Sequence, residues 1–491
     1  MPGEEYDVVV VGGGSAGCAV AGRLARVRRV LLLEAGPTAW PREVLDVGSL
    51  AAASPGHPAN WDLPVELRAA TPATVPRGRI LGGSGAINGG VWMRATPADG
   101  WGAPGWTWSE MLARYVRAES DADLGDRPGH GAAGPVPVRR PAGPLRHPTA
   151  DRFLDAAAAC GFPAEPDKNA GGPPGAGLVP ANAVDGVRVN PAMAYLDPEP
   201  PGLTVRGDAE IGALLLDGDR ATGVRLRDGS AVHADEVVLA AGAVGSALLL
   251  LRGGIGPADE LRAAGVAVRH DRPGVGRAFT DHPAVFVPFT TPDAPVHAHA
   301  PSAQAALDLD AGADPAGDVQ LLLFVRPFEP GGPLHVMCQL TAPDSRGRLT
   351  SDGRIAYHYL RTEHDRRRLR HAVRTAAELL RAGLGTRVEP PGDVLGSDRA
   401  LDGWIAAHLT TAQHLCGTAP IGPEDDPDGV VDHALRVHGL AGLRVADLSV
   451  LPTAPRRGTA ATACAIGDAA AEFLGSRVPG GASRDGAGWS T

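Results

Sequence analysis

The feature that most constrains this chain is a strand, a glycine turn, a helix and a second strand near its N-terminal end. Residues 6–11 read YDVVVV, a β-branched run typical of a strand buried on both faces. A glycine-rich turn follows, then the helix-like CAVAGRLARV and a strand-like VLLLEAG. Because a helical crossover joins parallel strands, this segment predicts a βαβ unit and an α/β fold.

The turn has the spacing Gly12-x-Gly14-x-x-Gly17. The first glycine allows the tight bend, the second lets a pyrophosphate approach the backbone, and the third lets the helix pack on the strand. The helix N-terminus then faces the anion. Glu34 follows the second strand, where it is placed to accept from a ribose hydroxyl and disfavours the extra phosphate of NADP. These residues predict a dinucleotide site but do not choose between NAD and FAD.

The composition narrows the class of protein. With 491 residues, 44% hydrophobic and 21% charged, the chain is typical of a globular protein with a large core. Its formal net charge of −10 argues against a nucleic-acid partner. Five scattered cysteines form no C-x-x-C pair, so neither a disulfide framework nor a zinc site is expected. Since no signal-peptide pattern or long apolar run occurs, we expect a cytoplasmic protein.

Further segments indicate how the chain is organised. The strand-like runs 235–246 and 443–452 are each followed by a helical pattern. If they share one sheet with the first βαβ unit, the cofactor domain is built from separate parts of the chain, and the other segments are insertions. Segment 364–383 predicts a helix with a solvated arginine face, whereas 284–320 shows little pattern.

Motifs along nearly the whole chain occur in the order and spacing of one known family. They are RGRILGGSGAINGGVWMRATPADGW (77–101), DEVVLAAGAVGSALLLLRGGIGPADEL (235–261), RPGVGRAFTDHP (272–283), HLCGTAPIG (414–422) and LRVADLSVLPTAP (443–455). Together they resemble the glucose–methanol–choline (GMC) oxidoreductases, which bind FAD and oxidise alcohols, usually by passing hydride from a carbinol carbon to flavin N5. The resemblance implies an α/β fold: a doubly wound, Rossmann-like FAD-binding domain with an inserted substrate domain built on an antiparallel sheet.

The resemblance also implies domain parts and cofactor contacts. We expect the FAD-binding domain to comprise residues 1–102 (with a loop insertion at 38–74), 203–280 and 431–476, the substrate domain to comprise 103–202 and 281–430, and the tail 477–491 to be disordered. Carried over by position, the residues expected to contact FAD are Gly12, Gly14, Ser15, Ala16, Gly17, Glu34, Ala35, Gly82, Gly83, Ser84, Asn88, Gly89, Ile211, Gly242, Ala243, Asp447 and Ala460. Among them, the Ile211 backbone would meet the adenine, and Asp447 would lie near the ribityl-phosphate arm.

His414 matches the active-site histidine of the family. Its suitability as a base also follows from chemistry alone, because only histidine has an unperturbed pKa near neutrality. A neutral imidazole within hydrogen-bond reach of a hydroxyl can accept its proton as hydride departs. We therefore expect His414 to be the catalytic base.

The sequence departs from the family pattern at the second active-site position. After PTAP (452–455) the family usually has an asparagine or histidine, but alignment on Pro455 and the following helix places Ala460 there. Alanine neither donates nor accepts a hydrogen bond, so the enzyme would work with one base, borrow a second group, or have lost the alcohol chemistry. Arg456 and Arg457 are candidates for binding an anionic or polyhydroxylated substrate, against the alternative of surface or phosphate-facing arginines. Ile87 stands where relatives with covalent flavin carry histidine, which implies non-covalent FAD.

Three other histidines are weaker candidates for functional residues. His297 and His299 would place two rings on one face of a strand, but no acid or cysteine nearby completes a metal site. No metal is expected. His282, in the sequence TDHP, is interpreted as structural, with a role near the flavin edge as the alternative.

A narrower resemblance concerns the electron acceptor. GGSGAINGG and APRRGTAATA are similar to members associated with the mycofactocin redox system. This implies a dehydrogenase that reoxidises mycofactocinol and passes electrons to a quinone-type or other carrier rather than to oxygen, with peripheral contact to a membrane electron-transfer chain. Three alternatives stay open: a lyase or decarboxylase of the same fold, a non-catalytic flavin-binding protein, and a plain NAD dehydrogenase.

Overall fold

The computed structural model describes residues 6–312, 314–384 and 387–475. The tail 477–491, predicted to be disordered, lies outside these residues. Within them, no helix combines the length and the apolar character needed to cross a bilayer. The strands are β1 Tyr6–Val11, β2 Val30–Leu33, β3 Asn60–Arg68, β4 Thr71–Gly78, β5 Glu119–Asp121, β6 Val136–Val138, β7 Ala176–Leu178, β8 Ala183–Val184, β9 Val187–Arg188, β10 Leu203–Arg206, β11 Ile211–Asp217, β12 Arg220–Leu226, β13 Ala231–Leu239, β14 Ile255–Gly256, β15 His270–Asp271, β16 Pro283–Thr290, β17 Ala303–Leu309, β18 Val319–Phe324, β19 Leu334–Leu340, β20 Arg348–Leu349, β21 Ile355–Ala356, β22 Arg387–Val388, β23 Thr410–Thr411 and β24 Leu443–Val445.

Helices form crossovers of the first sheet and pack against one face of the second. They are α1 Ser15–Leu24, α2 Arg42–Leu45, α3 Ser84–Ile87, α4 Trp108–Ala118, α5 Pro148–Ala159, α6 Pro191–Leu196, α7 Gly242–Arg252, α8 Ala258–Ala263, α9 Glu363–Leu379, α10 Gly392–Leu395, α11 Asp398–His408 and α12 Ala460–Gly475.

The first sheet collects strands from three distant parts of the chain. Its parallel core has the order β10, β2, β1, β13 and β24, and the hairpin β11–β12 extends it antiparallel to the start of β13. Val9 is paired with Leu31 on one side and Val237 on the other. All three side chains are buried, because crossover helices cover a parallel sheet. The predicted α/β fold is confirmed. One sheet contains strands from the first βαβ unit and from the runs 235–246 and 443–452, as expected.

The second sheet is antiparallel, as predicted. Its order is β22, β16, β19, β18, β17 and β7, with β23 also paired to β16. The long helix α9 packs against β18 and β19. The exact domain boundaries expected from the sequence stay a prediction.

Three segments differ from the sequence-based expectations. Part of the 38–74 segment, expected to be a loop, forms the hairpin β3–β4, whose three prolines hide its strand pattern. The weakly patterned 284–320 contains β17, whose side chains are buried along its whole length and therefore do not alternate. Helix α9 forms as predicted, but Arg368 and Arg370 are buried. Their guanidinium groups pair with carboxylates, and this pairing offsets the desolvation cost of burying the charges.

Candidate active site

Residues of both sheets line a cavity of about 1070 Å³. This volume slightly exceeds that of typical ligand pockets, which measure about 300–1,000 Å³. Most residues expected to contact FAD, together with the expected base, line it: Gly12, Gly14, Ser15, Ala16, Glu34, Ala35, Gly83, Ser84, Asn88, Gly89, Ile211, Gly242, Ala243, His414, Asp447 and Ala460. The fold therefore brings segments separated by more than 400 residues to one chamber.

Gly17 and Gly82 are not part of the cavity wall. A Cβ on Gly17 would lie 1.9 Å from the carbonyl oxygen of Gly12, so this glycine lets α1 pack against the turn. The Gly82 N–H donates to the Gly13 carbonyl at 2.7 Å. Gly17 thus packs within its own turn, and Gly82 joins the two glycine turns. Direct contact of these two residues with the cofactor stays a prediction.

The two turns fit a dinucleotide because their backbones leave no room for side chains. Gly12 has φ +102°, and a Cβ there would lie 2.5 Å from the Ala240 carbonyl oxygen. A Cβ on Gly83 would lie 2.7 Å from Gly14 Cα. The backbone at the N-terminus of α1 is thus brought to the cavity wall, where its N–H groups and the helix dipole favour a pyrophosphate.

Glu34 lies directly after β2 and is buried. Its Oε2 accepts from the Gly13 N–H at 2.8 Å, and its Oε1 accepts from the Gly36 N–H at 2.9 Å. Burial raises the pKa of this carboxyl to about 7, against the lowering effect of these hydrogen bonds. Each carboxylate oxygen can accept a further hydrogen bond, so a ribose hydroxyl is still accommodated.

Asp447 lies just after β24, at the edge of the parallel part of the first sheet. Its carboxylate accepts from the Gly242 N–H at 2.9 Å and from the Ser449 N–H at 2.9 Å, and it also accepts from the Ser246 hydroxyl. Burial raises the pKa of Asp447, and these hydrogen bonds oppose the rise. The carboxylate thereby holds the start of α7 against the cavity.

His414 lines the cavity next to the antiparallel sheet. Its Nδ1 lies 2.9 Å from Nδ1 of His282, and the two rings meet edge to face at 83°. At this distance one nitrogen donates and the other accepts, so Nε2 is the ring atom of His414 left for the cavity. Burial, and then the positive charge of Arg77, lower the pKa of His414 to about 4. The ring is therefore neutral at physiological pH.

The sequence analysis interpreted His282 as structural, but it did not predict the contact of His282 with His414 or the role of Asp281. His282 is fully buried beside His414, and burial, followed by repulsion from the protonated form of His414, holds the pKa of His282 well below the usual range. Asp281 accepts from the backbone N–H of His282 at 2.6 Å and from that of His414 at 2.7 Å. One carboxylate thus joins two loops 132 residues apart. The adjacent Asp-His pair in TDHP was the available signal, but only the fold shows its partner.

Ala460 begins α12 and lines the cavity with a methyl group. Arg457, by contrast, is buried away from the cavity and pairs with Glu165 at 2.8 Å and Asp308 at 3.4 Å. Arg456 pairs with Asp314 and does not line the cavity either. Arg456 and Arg457 were candidates for binding substrate, but neither lines the cavity, and nearby carboxylates already pair with both of them.

Metal ligation by His297 and His299 gains no support from the geometry. In the described part of the chain, the group of three potential ligands close enough to hold one ion is Glu119, Asp121 and His130. Here Arg94 and Arg140 already pair with the two carboxylates, and these ion pairs account for the cluster.

Two family models, both described as GMC oxidoreductase, match residues 6–284 and 343–467. The chain is 37% identical to an uncharacterized GMC-type oxidoreductase in the thcA 5′ region of Rhodococcus erythropolis, over 95% of this chain and 98% of that protein. It is 33% identical to the 5-(hydroxymethyl)furfural oxidase of Methylovorus sp. strain MP688, over 92% and 96% of the two chains.

A solved structure agrees with these relatives. Pyridoxine 4-oxidase from Mesorbium loti superimposes with a TM-score of 0.87 at 30% identity, covering 96% of this chain and 99% of that one. The sequence resemblance and the fold class are confirmed. The chain belongs to the GMC oxidoreductases, a family of FAD-binding flavoenzymes.

Proposed function

We propose that the protein oxidises an alcohol, with His414 as the base that takes the hydroxyl proton. FAD, when bound, supplies flavin N5 as the acceptor of hydride from the carbinol carbon. The observation that carries the proposal is the neutral imidazole on the cavity wall with its Nδ1 engaged by His282. When the shared proton lies on His414 Nδ1, Nε2 carries the lone pair, which is the form a base requires.

Residues of the first sheet and its loops would hold the cofactor. The N-terminus of α1 at Ser15 would face the pyrophosphate, Glu34 the adenosine ribose, and Ser84 and Asn88 the flavin side. Ile87 also lines the cavity, and since its side chain has no nucleophile, we expect dissociable FAD.

The substrate wall favours an alcohol that has an apolar or ring-bearing body and carries no positive charge. Phe286, Leu322, Phe324 and Met337 line it from the antiparallel sheet. In the described residues, the acids that line the cavity are Glu34, Asp46, Glu210 and Asp447, none of which lies on that sheet. A cationic substrate would therefore lack a carboxylate partner there. A ring-borne hydroxymethyl group also fits the name of the 5-(hydroxymethyl)furfural oxidase to which the chain is similar.

Anaerobic photometry of the purified holoenzyme with a panel of alcohols tests the proposal. An alcohol substrate should bleach the flavin absorbance, whereas a lyase or decarboxylase would leave it yellow, and a non-catalytic protein would not turn over at all. Boiling or acid precipitation should release the flavin if it is not covalently bound.

The electron acceptor is a separate question. The quinone-type carrier and the narrower mycofactocin assignment are predictions that rest on short sequence motifs. Stepwise addition of oxygen or a soluble quinone to the reduced enzyme decides between oxidase and dehydrogenase. Slow reoxidation by oxygen and fast reoxidation by quinone is the expected result, and rapid peroxide formation would contradict it.

A further inference from the structure

A row of side chains crosses the antiparallel sheet beside the substrate wall. The strand register places Asp308 opposite Gln320, Gln320 opposite Gln339, and Gln339 opposite Ala284. Directly opposed residues project to the same face of a sheet. The two glutamines in the middle of the row line the cavity, and both are buried.

The outer end of the row is anchored by a buried ion cluster. The Asp308 carboxylate pairs with Lys168, the only lysine of the chain, and with Arg457 at 3.4 Å. Glu165 completes the cluster through both cations. Burial alone would raise the pKa of Asp308, but the charges of Arg457 and Lys168 prevail and lower it. Asp308 is thus ionised and accepts hydrogen bonds only.

The ionised carboxylate sets the orientation of both amides. Since Asp308 Oδ1 accepts, the group of Gln320 that lies 2.7 Å away is its Nε2 donor. This turns Gln320 Oε1 toward the next strand, where Gln339 Nε2 donates to it at 2.6 Å. The orientation of Gln339 follows in turn, and its Oε1 becomes the free end of the chain of hydrogen bonds.

That free end has no protein partner. Gln339 Oε1 is buried and accepts no hydrogen bond in the described structure. The next position in the row is Ala284, whose methyl group offers no donor. Leaving a buried acceptor unpaired is unfavourable, so a ligand that donates to it gains affinity over one that does not.

We propose that Gln339 Oε1 is a specificity-determining acceptor for the substrate, which carries a second hydrogen-bond donor, a hydroxyl or N–H, besides the hydroxyl that is oxidised. This inference rests on the proposed function for the identity of the reacting group. The substrate class becomes an uncharged or anionic alcohol whose apolar or ring-bearing body carries a distal donor. The buried cluster of Asp308, Lys168 and Arg457 acts as a positioning element, since it holds the acceptor without touching the ligand.

Equilibrium binding to the holoenzyme tests the acceptor without any turnover. The probes are 4-methylphenol and 4-methylanisole, which lack an oxidisable carbinol and differ by methylation of the donor. Titration calorimetry should show that wild-type protein binds 4-methylphenol about 10- to 100-fold more tightly. In Gln339→Met, which keeps the length of the side chain, the preference should disappear.

Gln304→Met is the matched control. Gln304 lies on β17 of the same sheet, is buried and hydrogen-bonded to the Leu145 carbonyl, and does not line the cavity. This variant should keep the preference, and FAD content should be measured for each protein. Equal binding of the two probes by the wild-type protein, no binding of either, or a preference that survives Gln339→Met would overturn the proposal.

Kinetics separate this inference from the proposed function. If 4-hydroxybenzyl alcohol reduces the flavin faster than 4-methoxybenzyl alcohol only when Gln339 is present, both are supported. If the binding preference holds but no alcohol bleaches the flavin, the acceptor stands and the oxidation fails. If both alcohols reduce the flavin equally and bind equally, the oxidation stands and the acceptor fails.

Discussion

Lowering the pH from about 8 to about 5 should leave the anaerobic reduction of the flavin by a saturating alcohol almost unchanged. Burial, and then the charge of Arg77, lower the pKa of His414 to about 4. With that value, about 90% of the imidazole is still neutral at about pH 5. With an ordinary pKa near 6.5, only about 3% would be neutral, so the rate would fall about thirtyfold.

Stopped-flow photometry of flavin reduction measures this profile. The lowered pKa of His414 also means that the folded protein binds fewer protons than the unfolded chain between about pH 6.5 and about pH 4, so this group makes folding less stable as the pH falls through that window. Retained flavin and far-ultraviolet circular dichroism must therefore be checked at each pH. A tenfold loss of rate by about pH 5 with the flavin still bound would refute the reasoning.

Substitution of Arg77 tests whether its charge helps to lower the pKa of His414. Arg77→Gln removes the positive charge that lowers the pKa of His414 and should move the acid limb of the profile to higher pH. Arg68→Gln, at an exposed arginine of the same hairpin, is the control and should leave the limb in place. An unmoved limb in Arg77→Gln would show that burial alone sets the pKa.

Two further predictions concern stability and cofactor retention. The pKa of His130 is raised to about 10, first by its hydrogen bond with Asp121, so the contribution of this ion pair to stability is present below about pH 6.5 and is lost as the pH rises toward about 10. Urea unfolding should show that His130→Asn lowers the free energy of unfolding by about 1.5–3 kcal/mol at neutral pH and by less at high pH. A difference that does not change with pH would contradict this. Gly12→Ala would place a Cβ 2.5 Å from the Ala240 carbonyl oxygen and should yield protein without FAD absorbance, whereas Gly56→Ala, with positive φ but nothing within 4 Å, should stay yellow.

Local pattern was enough to predict the first βαβ unit. The run of valines, the spacing of Gly12 and Gly17, and the acid at Glu34 lie within 30 residues, so one stretch of sequence specifies the turn. His414 was identified by its motif, and it does line the cavity, although its catalytic role stays a prediction.

Contacts between distant strands could not be read in the same way. The row containing Gln320 and Gln339 depends on strand register, and a shift of one residue would turn these side chains to the other face. Arg457 is similar, since its partners Glu165 and Asp308 come from segments about 290 and 150 residues away in sequence. Its burial is set by those carboxylates and has no local signal.

The most direct test of the central claim is the rate of anaerobic flavin reduction in wild-type protein and in His414→Gln. Removing a general base typically costs about 10²- to 10⁴-fold, so the variant should be reduced at least a hundredfold more slowly while it keeps its FAD. His297→Gln, at a histidine outside the cavity wall, should behave as wild type. Reduction of His414→Gln at the wild-type rate would contradict the assignment of this imidazole as the proton acceptor.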